Sequence, residues 1–241
     1  MRILLLGGTT EARRLAGLVA GEHTVITSLA GRTTDPLRPA GELRIGGFGG
    51  VDGLAGYLRD ADVDVVVDAT HPFAATMSGH AVLACAAVGV PLLVVRRPGW
   101  TAGPGDEWHR VASLDAAAAL LPRLGRRVFL TTGRQGIAAF AGLDECWFLA
   151  RSVEPPTGVT PRNLEVLLDR GPFTVDGERE LLIRHRVGVL VTKDSGGSAA
   201  KLVAARELGV PVLMVDRPPA PDAPLVSTAD AAVTWLRALG R

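Results

Sequence analysis

The feature that most restricts the fold is an internal repeat written in short, unbroken apolar runs. "AAVGVPLLVVRRP" (86–98) parallels "ARELGVPVLMVDRP" (205–218), and "HRVASLDAAAALLPRLG" parallels "PLVSTADAAVTWLRALG". Upstream, "VVVDATHPFA" (65–74) occupies the place of "VLVTKDSGGS" (189–198), and "ILLLGGTTEARRLA" is matched more loosely by "VFLTTGRQGIAAFA". Each copy exceeds a solenoid unit of roughly 20–45 residues, so the pattern predicts two similar domains, 1–125 and 126–241. Within each copy, Val/Ile/Leu runs alternate with Ala/Leu-rich helical stretches. Strands are expected near 2–6, 24–28, 64–68, 91–95, 127–131, 187–191 and 211–215. Helices are expected near 9–20, 74–88, 114–124, 197–208 and 228–239. Strands without polar alternation, separated by helices, specify an α/β fold whose parallel sheets are covered on both faces.

Composition narrows the function. A formal charge of +1 over 241 residues lacks the basic excess of a nucleic-acid or membrane-surface binder. No apolar run approaches the roughly 18 residues that span a bilayer, and "MRILLLGG" meets its glycine pair too soon for a secretory signal. Cys85 and Cys146 lie far apart in apolar contexts, which predicts reduced thiols and a cytoplasmic protein. The five histidines show no metal-ligand spacing, and no GxSxG elbow is present, so neither a metal site nor nucleophilic hydrolysis is expected. The sequence assigns no oligomeric state.

In doubly wound sheets, ligands bind beyond the carboxyl ends of the strands, which directs attention to four junctions. Gly7, Gly8, Thr9, Thr10 and Glu11 follow a strand and open a helix, as a phosphate-binding turn does. The fit to G-x-G-x-x-G/A is partial, because Thr9 stands at the middle glycine, and a tight turn with a Thr N-cap is the simpler alternative. After the second strand come Ser28, Gly31 and Arg32, with no acid before Asp35. A dinucleotide bound here would be NADP(H) rather than NAD(H), whereas a solvated loop arginine is the plainer reading. "DATHPF" sets Thr70 and His71 at a strand end, where His71 either donates a proton or braces the loop through Asp68.

The fourth junction, "LVTKDSGGSAAK", holds the chain's two lysines among 26 basic side chains. Lys193, Asp194 and Ser195 would leave the strand end, Gly196 and Gly197 would admit a ligand, Ser198 would cap the next helix, and Lys201 would lie one turn in. An ammonium is a compact charge that guanidinium does not replace. The alternative pairs Lys193 with Asp194 and leaves Lys201 solvated. Pro/Gly-rich connectors at 97–105 and 153–161 read as covering loops.

Taken in order, "ILLLGGTTEARRLA", "SLAGR", "VVDATHPFA", "GPF", "LVTKDSGG" with Lys201, and "LGVPVLMVDRP" resemble the precorrin-6A reductase family of cobalamin biosynthesis across most of the chain. The resemblance implies two Rossmann-like domains with the active site in the cleft between them. It implies hydride transfer from NADPH to a tetrapyrrole macrocycle, giving precorrin-6B; the counterpart activity on a cobalt-bearing substrate is the near alternative. The cofactor would be held by residues 7–11, Ser28, Gly31, Arg32, Thr70, Lys193, Ser195 and Gly196. Lys201, His71 and Asp194 are the catalytic candidates, and Arg97, Arg134, Arg151 and Arg217 would answer substrate carboxylates. A two-lobed binding module that consumes no cofactor is the rival from another class. A methyltransferase would want an acid after the second strand, which is missing.

Overall fold

The computed structural model describes residues 1–31 and 36–240, and the expected ligand Arg32 falls outside them. The chain forms two six-stranded, wholly parallel sheets, each flanked by helices. In the first copy the elements are β1 (Arg2–Leu6), α1 (Thr10–Val19), β2 (Thr24–Leu29), β3 (Glu42–Ile45), α2 (Val51–Asp60), β4 (Val65–Asp68), α3 (Ala75–Val88) and β5 (Leu92–Val95), then β6 (Trp108–Val111) and α4 (Leu114–Leu120). In the second they are β7 (Arg127–Leu130), a 3-10 segment (Arg134–Phe140), β8 (Trp147–Ser152), β9 (Leu164–Leu168), α5 (Val175–Arg184), β10 (Val189–Lys193), α6 (Ala200–Glu207) and β11 (Val212–Val215), then β12 (Leu225–Val226) and α7 (Ala229–Leu239).

The sheet orders are β12-β5-β4-β1-β2-β3 and β6-β11-β10-β7-β8-β9. Position for position the two sheets are the same, except that each takes its last strand from the other copy. The expected boundary at 125/126 is therefore corrected: one unit is Met1–Pro98 with Pro218–Arg241, the other Gly99–Arg217. The physical reason lies at both places. The copies are joined to their last strands by "RRPGW" and "DRPPAPD", whose prolines and glycine end β5 and β11 and lead the chain away. Gly125 is no linker but a packed turn inside the second unit, where a Cβ would fall 2.8 Å from Val189 Cγ2. A repeat locates equivalent elements; it does not say which sheet each one joins.

In the first unit β1 shows why both faces are covered. Ile3 and Leu5 point to one side, against Leu15 and Ala16 of α1 and Leu236 of α7. Leu4 and Leu6 point to the other, against Leu54 and Leu58 of α2 and Ala84 of α3. Each fully buried leucine is worth about 1.5–3 kcal/mol relative to exposure, so neither face tolerates a polar residue. In the second unit Phe129, Leu190 and Met214 build the equivalent layer with Leu182 of α5 and Leu202 of α6.

Candidate functional site

The first unit's sheet reverses its strand order between β1 and β4, the switch point at which such sheets bind ligands. There the β1–α1 turn is built by steric demand. A Cβ on Gly7 would lie 2.8 Å from Thr27 Cγ2, so glycine lets the turn pack against β2. Gly8 has φ +111°, a backbone conformation glycine alone adopts without strain, and it is exposed. Thr9 caps α1 by accepting from the Ala12 N–H at 3.1 Å, while its own hydroxyl donates to the Ala69 carbonyl at 2.7 Å. That second bond ties the glycine turn to the end of β4 and so joins two of the expected junctions. Thr10 is exposed at the start of α1, and Glu11 is paired with Arg97 at 2.8 Å.

Along the same edge, Ser28 is the penultimate residue of β2, and its Oγ accepts from Arg44 Nη1 at 3.3 Å. Arg44 also donates to the Gly46 and Gly47 carbonyls at 2.6 and 2.9 Å, and its guanidinium lies 3.8 Å from the Phe48 ring centroid. This cation escaped the sequence reading, because β3 is a short polar strand whose register brings Arg44 opposite Ser28. Gly31, with φ +70°, turns the chain away from β2.

Beyond β4, a cavity of about 120 Å³ is lined by Asp68, Thr70, His71, Ser78 and Arg96, among others. Asp68 is 2% exposed; its Oδ1 accepts from the Thr70 N–H at 3.0 Å, and its Oδ2 has no hydrogen-bond partner among the described residues. His71 accepts at Nδ1 from the Phe73 N–H at 3.3 Å, which leaves the ring proton on Nε2. Through this bond His71 braces the turn that follows β4. Beneath the pocket, burial first and the Asp68 charge second push the Cys85 thiol up to about 12, so it is no nucleophile at neutral pH.

The second unit's counterpart is the β10–α6 junction, which gathers Lys193, Asp194, Ser195, Gly196 and Lys201. Asp194 accepts from the Trp100 N–H at 3.0 Å, Arg110 Nη2 at 2.9 Å and Arg217 Nη2 at 3.3 Å. Burial alone would raise its pKa; the Arg110 bond, the Trp100 amide and the Arg217 charge together hold it below the ordinary carboxylate value. Asp194, expected as a catalytic candidate, thus anchors the junction through the Trp100 amide, Arg110 and Arg217. The Ser195 N–H turns back to the Lys193 carbonyl at 2.7 Å, and Gly196 and Gly197 carry φ +68° and +81°. Ala199 stands at the cap position without a side-chain bond, and the Ser198 Oγ accepts from the Ala200 N–H, the first of α6, at 3.5 Å. Lys201 Nζ lies 4.6 Å from the Trp100 ring centroid.

Each of the four arginines expected to meet substrate carboxylates pairs with an acid of the chain: Arg97 with Glu11, Arg134 with Glu154, Arg151 with Glu178 and Arg217 with Asp194. Arg151 is 8% exposed and its guanidinium also stacks on Phe173, so it is a core cation of the second unit. Strand-end position alone did not reveal these internal partners. Among the described residues no cluster of three or more His, Cys, Asp or Glu side chains is arranged to hold a metal, and no helix is long and apolar enough to cross a membrane.

The family model described as precorrin-6x reductase CbiJ/CobK matches residues 2–237. A precorrin-6A reductase of Rhodococcus erythropolis is 53% identical, covering 100% of this chain and 99% of the relative, and one of Rhodobacter capsulatus is 46% identical over 98% and 95%. A cobalt-precorrin-6A reductase of Priestia megaterium is 31% identical over 90% of each chain. The solved structure of CobK precorrin-6A reductase superposes with a TM-score of 0.94 at 45% identity, over 100% of this chain and 97% of that one.

Proposed function

We propose a specific reaction from a plain premise, that the chain belongs to the precorrin-6x reductase family: it reduces precorrin-6A to precorrin-6B with NADPH. The higher identity to the precorrin-6A reductases than to the cobalt-precorrin enzymes supports the metal-free macrocycle as substrate.

One observation carries the cofactor assignment. At the switch point of the first unit a glycine turn leads into a Thr-capped α-helix of 10 residues, whereas the second unit has a 3-10 segment of 7 residues at the equivalent position. An α-helix presents aligned N–H groups and a partial positive charge to a phosphate; a short 3-10 segment presents them poorly. The first unit therefore takes the dinucleotide at residues 7–11, with Ser28, Gly31, Arg32 and Arg44 at its ribose end. Thr70, His71 and the unpartnered Asp68 oxygen hold the groups that reach the pocket beyond β4. The turn fits such a ligand, since Gly8 is exposed at φ +111° with nothing within 4 Å of where a Cβ would stand.

NADPH supplies the hydride when bound. The chain's own side chains orient, charge-balance and protonate. Lys193, Ser195 and Gly196 face the nicotinamide end of the cofactor, and Lys201 answers the acetate and propionate carboxylates of the macrocycle. His71 carries a donatable proton at Nε2. The buried free thiols Cys85 and Cys146 support a reducing, cytoplasmic setting.

The test is loss of nicotinamide absorbance when purified protein, NADPH and precorrin-6A are mixed, with precorrin-6B as product. Binding of the macrocycle without consumption of NADPH would make the chain a sensor and refute the reading. Arg32→Glu is expected to weaken NADPH more than NADH; an unchanged preference removes Arg32 from the ribose end.

A further inference from the structure

We infer that Asp68 anchors the carboxamide of the nicotinamide: its Oδ2 accepts from the amide N–H2, and the cavity beyond β4 houses the ring. This anchor rests on the placement of the dinucleotide at the first unit's switch point. Asp68 is 2% exposed, and Oδ2 has no hydrogen-bond partner among the described residues. The other oxygen is held by the Thr70 N–H at 3.0 Å, so the carboxylate cannot turn to satisfy both. A buried carboxylate oxygen without a donor is costly, and a ligand that brings one relieves the cost.

The strand order puts this oxygen at the nicotinamide end. From one edge the sheet runs β3-β2-β1-β4-β5. The 2′-phosphate of NADPH belongs to the adenosine ribose, so an adenosine end at Ser28 and Arg44 places adenine over β2 and β3. The pyrophosphate then sits on the β1–α1 turn, and the other half of the cofactor falls over β4 and β5. At about 4.8 Å between neighbouring strands, β5 lies roughly 10 Å beyond β1, a span that a ribose and its ring cover. The Thr9 hydroxyl bond to the Ala69 carbonyl, at 2.7 Å, keeps Asp68 in register with the glycine turn. Arg96 donates to the Pro218 carbonyl and so pins the segment whose Pro219 and Pro221 wall the cavity.

Size and charge select the group. The volume of about 120 Å³ is close to the roughly 150 Å³ that admits one benzene ring in an engineered cavity, and far too small for a macrocycle. The acetates and propionates of the macrocycle are anionic, and a buried carboxylate repels them. The cofactor's carboxamide is neutral and flat, with an N–H2 donor and a carbonyl acceptor. Ser78, in the first turn of α3, lines the same cavity and brings a hydroxyl that can donate to that carbonyl. No side chain caps α3, so its leading N–H groups add donors on that side. An amide gripped at both ends fixes the ring against rotation about its ribose bond, and the hydride then leaves from one face.

The experiment is calorimetric titration of the purified protein with three probes. They are NADPH, its 3-acetylpyridine analogue, in which a methyl group replaces the amide N–H2, and adenosine 2′,5′-bisphosphate, which lacks the nicotinamide half. Wild type is expected to bind NADPH roughly 10-fold more tightly than the analogue, the weight of one hydrogen bond to a charged acceptor. D68N keeps an acceptor for the Thr70 N–H and turns an N–H2 toward the ligand, so the preference is expected to vanish while bisphosphate affinity stays at the wild-type value. Should D68N fail to fold, the wild-type comparison and S78A decide. S78A is expected to weaken NADPH and the analogue alike, since both keep the carbonyl, and to leave the bisphosphate untouched. Equal binding of NADPH and the analogue by wild type overturns the anchor, as does a preference that survives in D68N. Bisphosphate affinity lost in either variant would put adenine in the cavity and also overturn it. Failure of wild type to bind both NADPH and the bisphosphate removes the dinucleotide assignment and the anchor together.

Discussion

Arg151 and Glu178 are joined by two bonds, Nη2 to Oε1 at 2.7 Å and Nη1 to Oε2 at 3.2 Å, with side chains only 8% and 2% exposed. The pair links β8 to the first turn of α5, and Phe173 stacks over the guanidinium at 3.5 Å. Removing one partner strands the other charge in the interior. Arg151→Ala is expected to cost roughly 3–5 kcal/mol of unfolding free energy, and the double variant R151M/E178L to regain most of it. The macrocycle KM of the surviving folded fraction stays at the wild-type value. Equilibrium denaturation with kinetics on the same samples checks both halves; a raised KM without loss of stability would return Arg151 to the substrate.

Asp194 gives a pH signature. Its folded pKa is held below the unfolded value of about 3.9, so its contribution is complete above that value and lost as pH falls through the folded one. Asp194→Asn keeps the shape but loses the anion that gathers Arg110, Arg217 and the Trp100 amide, at roughly 2–4 kcal/mol near neutral pH. The stability gap between wild type and D194N is expected to stay constant from neutral pH down to about 5 and to close on further acidification. A gap that widened on acidification would contradict the assignment of Asp194 as a charged anchor.

What the chain discloses in its letters, and what it withholds, follows from which interactions are local. "ILLL", "VVVD" and "VLVTK" are buried on both faces, and so they read as parallel strands without knowledge of their partners. Thr9, Thr228 and Thr174 cap helices through bonds three residues away, within the reach of pattern reading. β3 and β9 are edge strands with polar positions, α2 carries two glycines, and α5 is rich in charge, so each lacks the apolar signal that marks the core elements. The exchange of β6 and β12 is a choice between equivalent sheets, and the Pro/Gly connectors that lead the chain away do not say which sheet each strand joins. Trp100, Arg110 and Arg44 went unread for the same reason: Trp100 and Arg110 meet at Asp194, and Arg44 meets Ser28, only through register and topology.

Gly7 isolates packing from ligand chemistry. Its added Cβ would meet Thr27 Cγ2, the branch of a side chain that is 1% exposed and has nowhere to turn. Gly7→Ala is expected to destabilise the first unit by about 1–3 kcal/mol and to raise the KM for NADPH. Thr27→Ser removes the obstructing methyl, so the double variant G7A/T27S should recover both stability and the KM for NADPH. Stability that is not regained in the double variant would mean that the clash lies elsewhere.

Arg44 tests the choice of cofactor. Its guanidinium is held by Ser28, two carbonyls and the Phe48 ring, so it is already oriented before any phosphate arrives. An oriented arginine on β3, opposite Ser28 near the end of β2, suits a 2′-phosphate, which offers the dianionic oxygens that a bare ribose lacks. Arg44→Gln should therefore raise the KM for NADPH by roughly 10-fold, the weight of one charge-assisted contact, and leave the KM for NADH nearly unchanged. Ser28→Ala, which frees one guanidinium bond, should have a smaller effect of the same kind. Fluorescence titration with both nucleotides reads the comparison directly. Equal losses for NADPH and NADH would show that Arg44 supports the loop at 46–48 instead of discriminating between the cofactors.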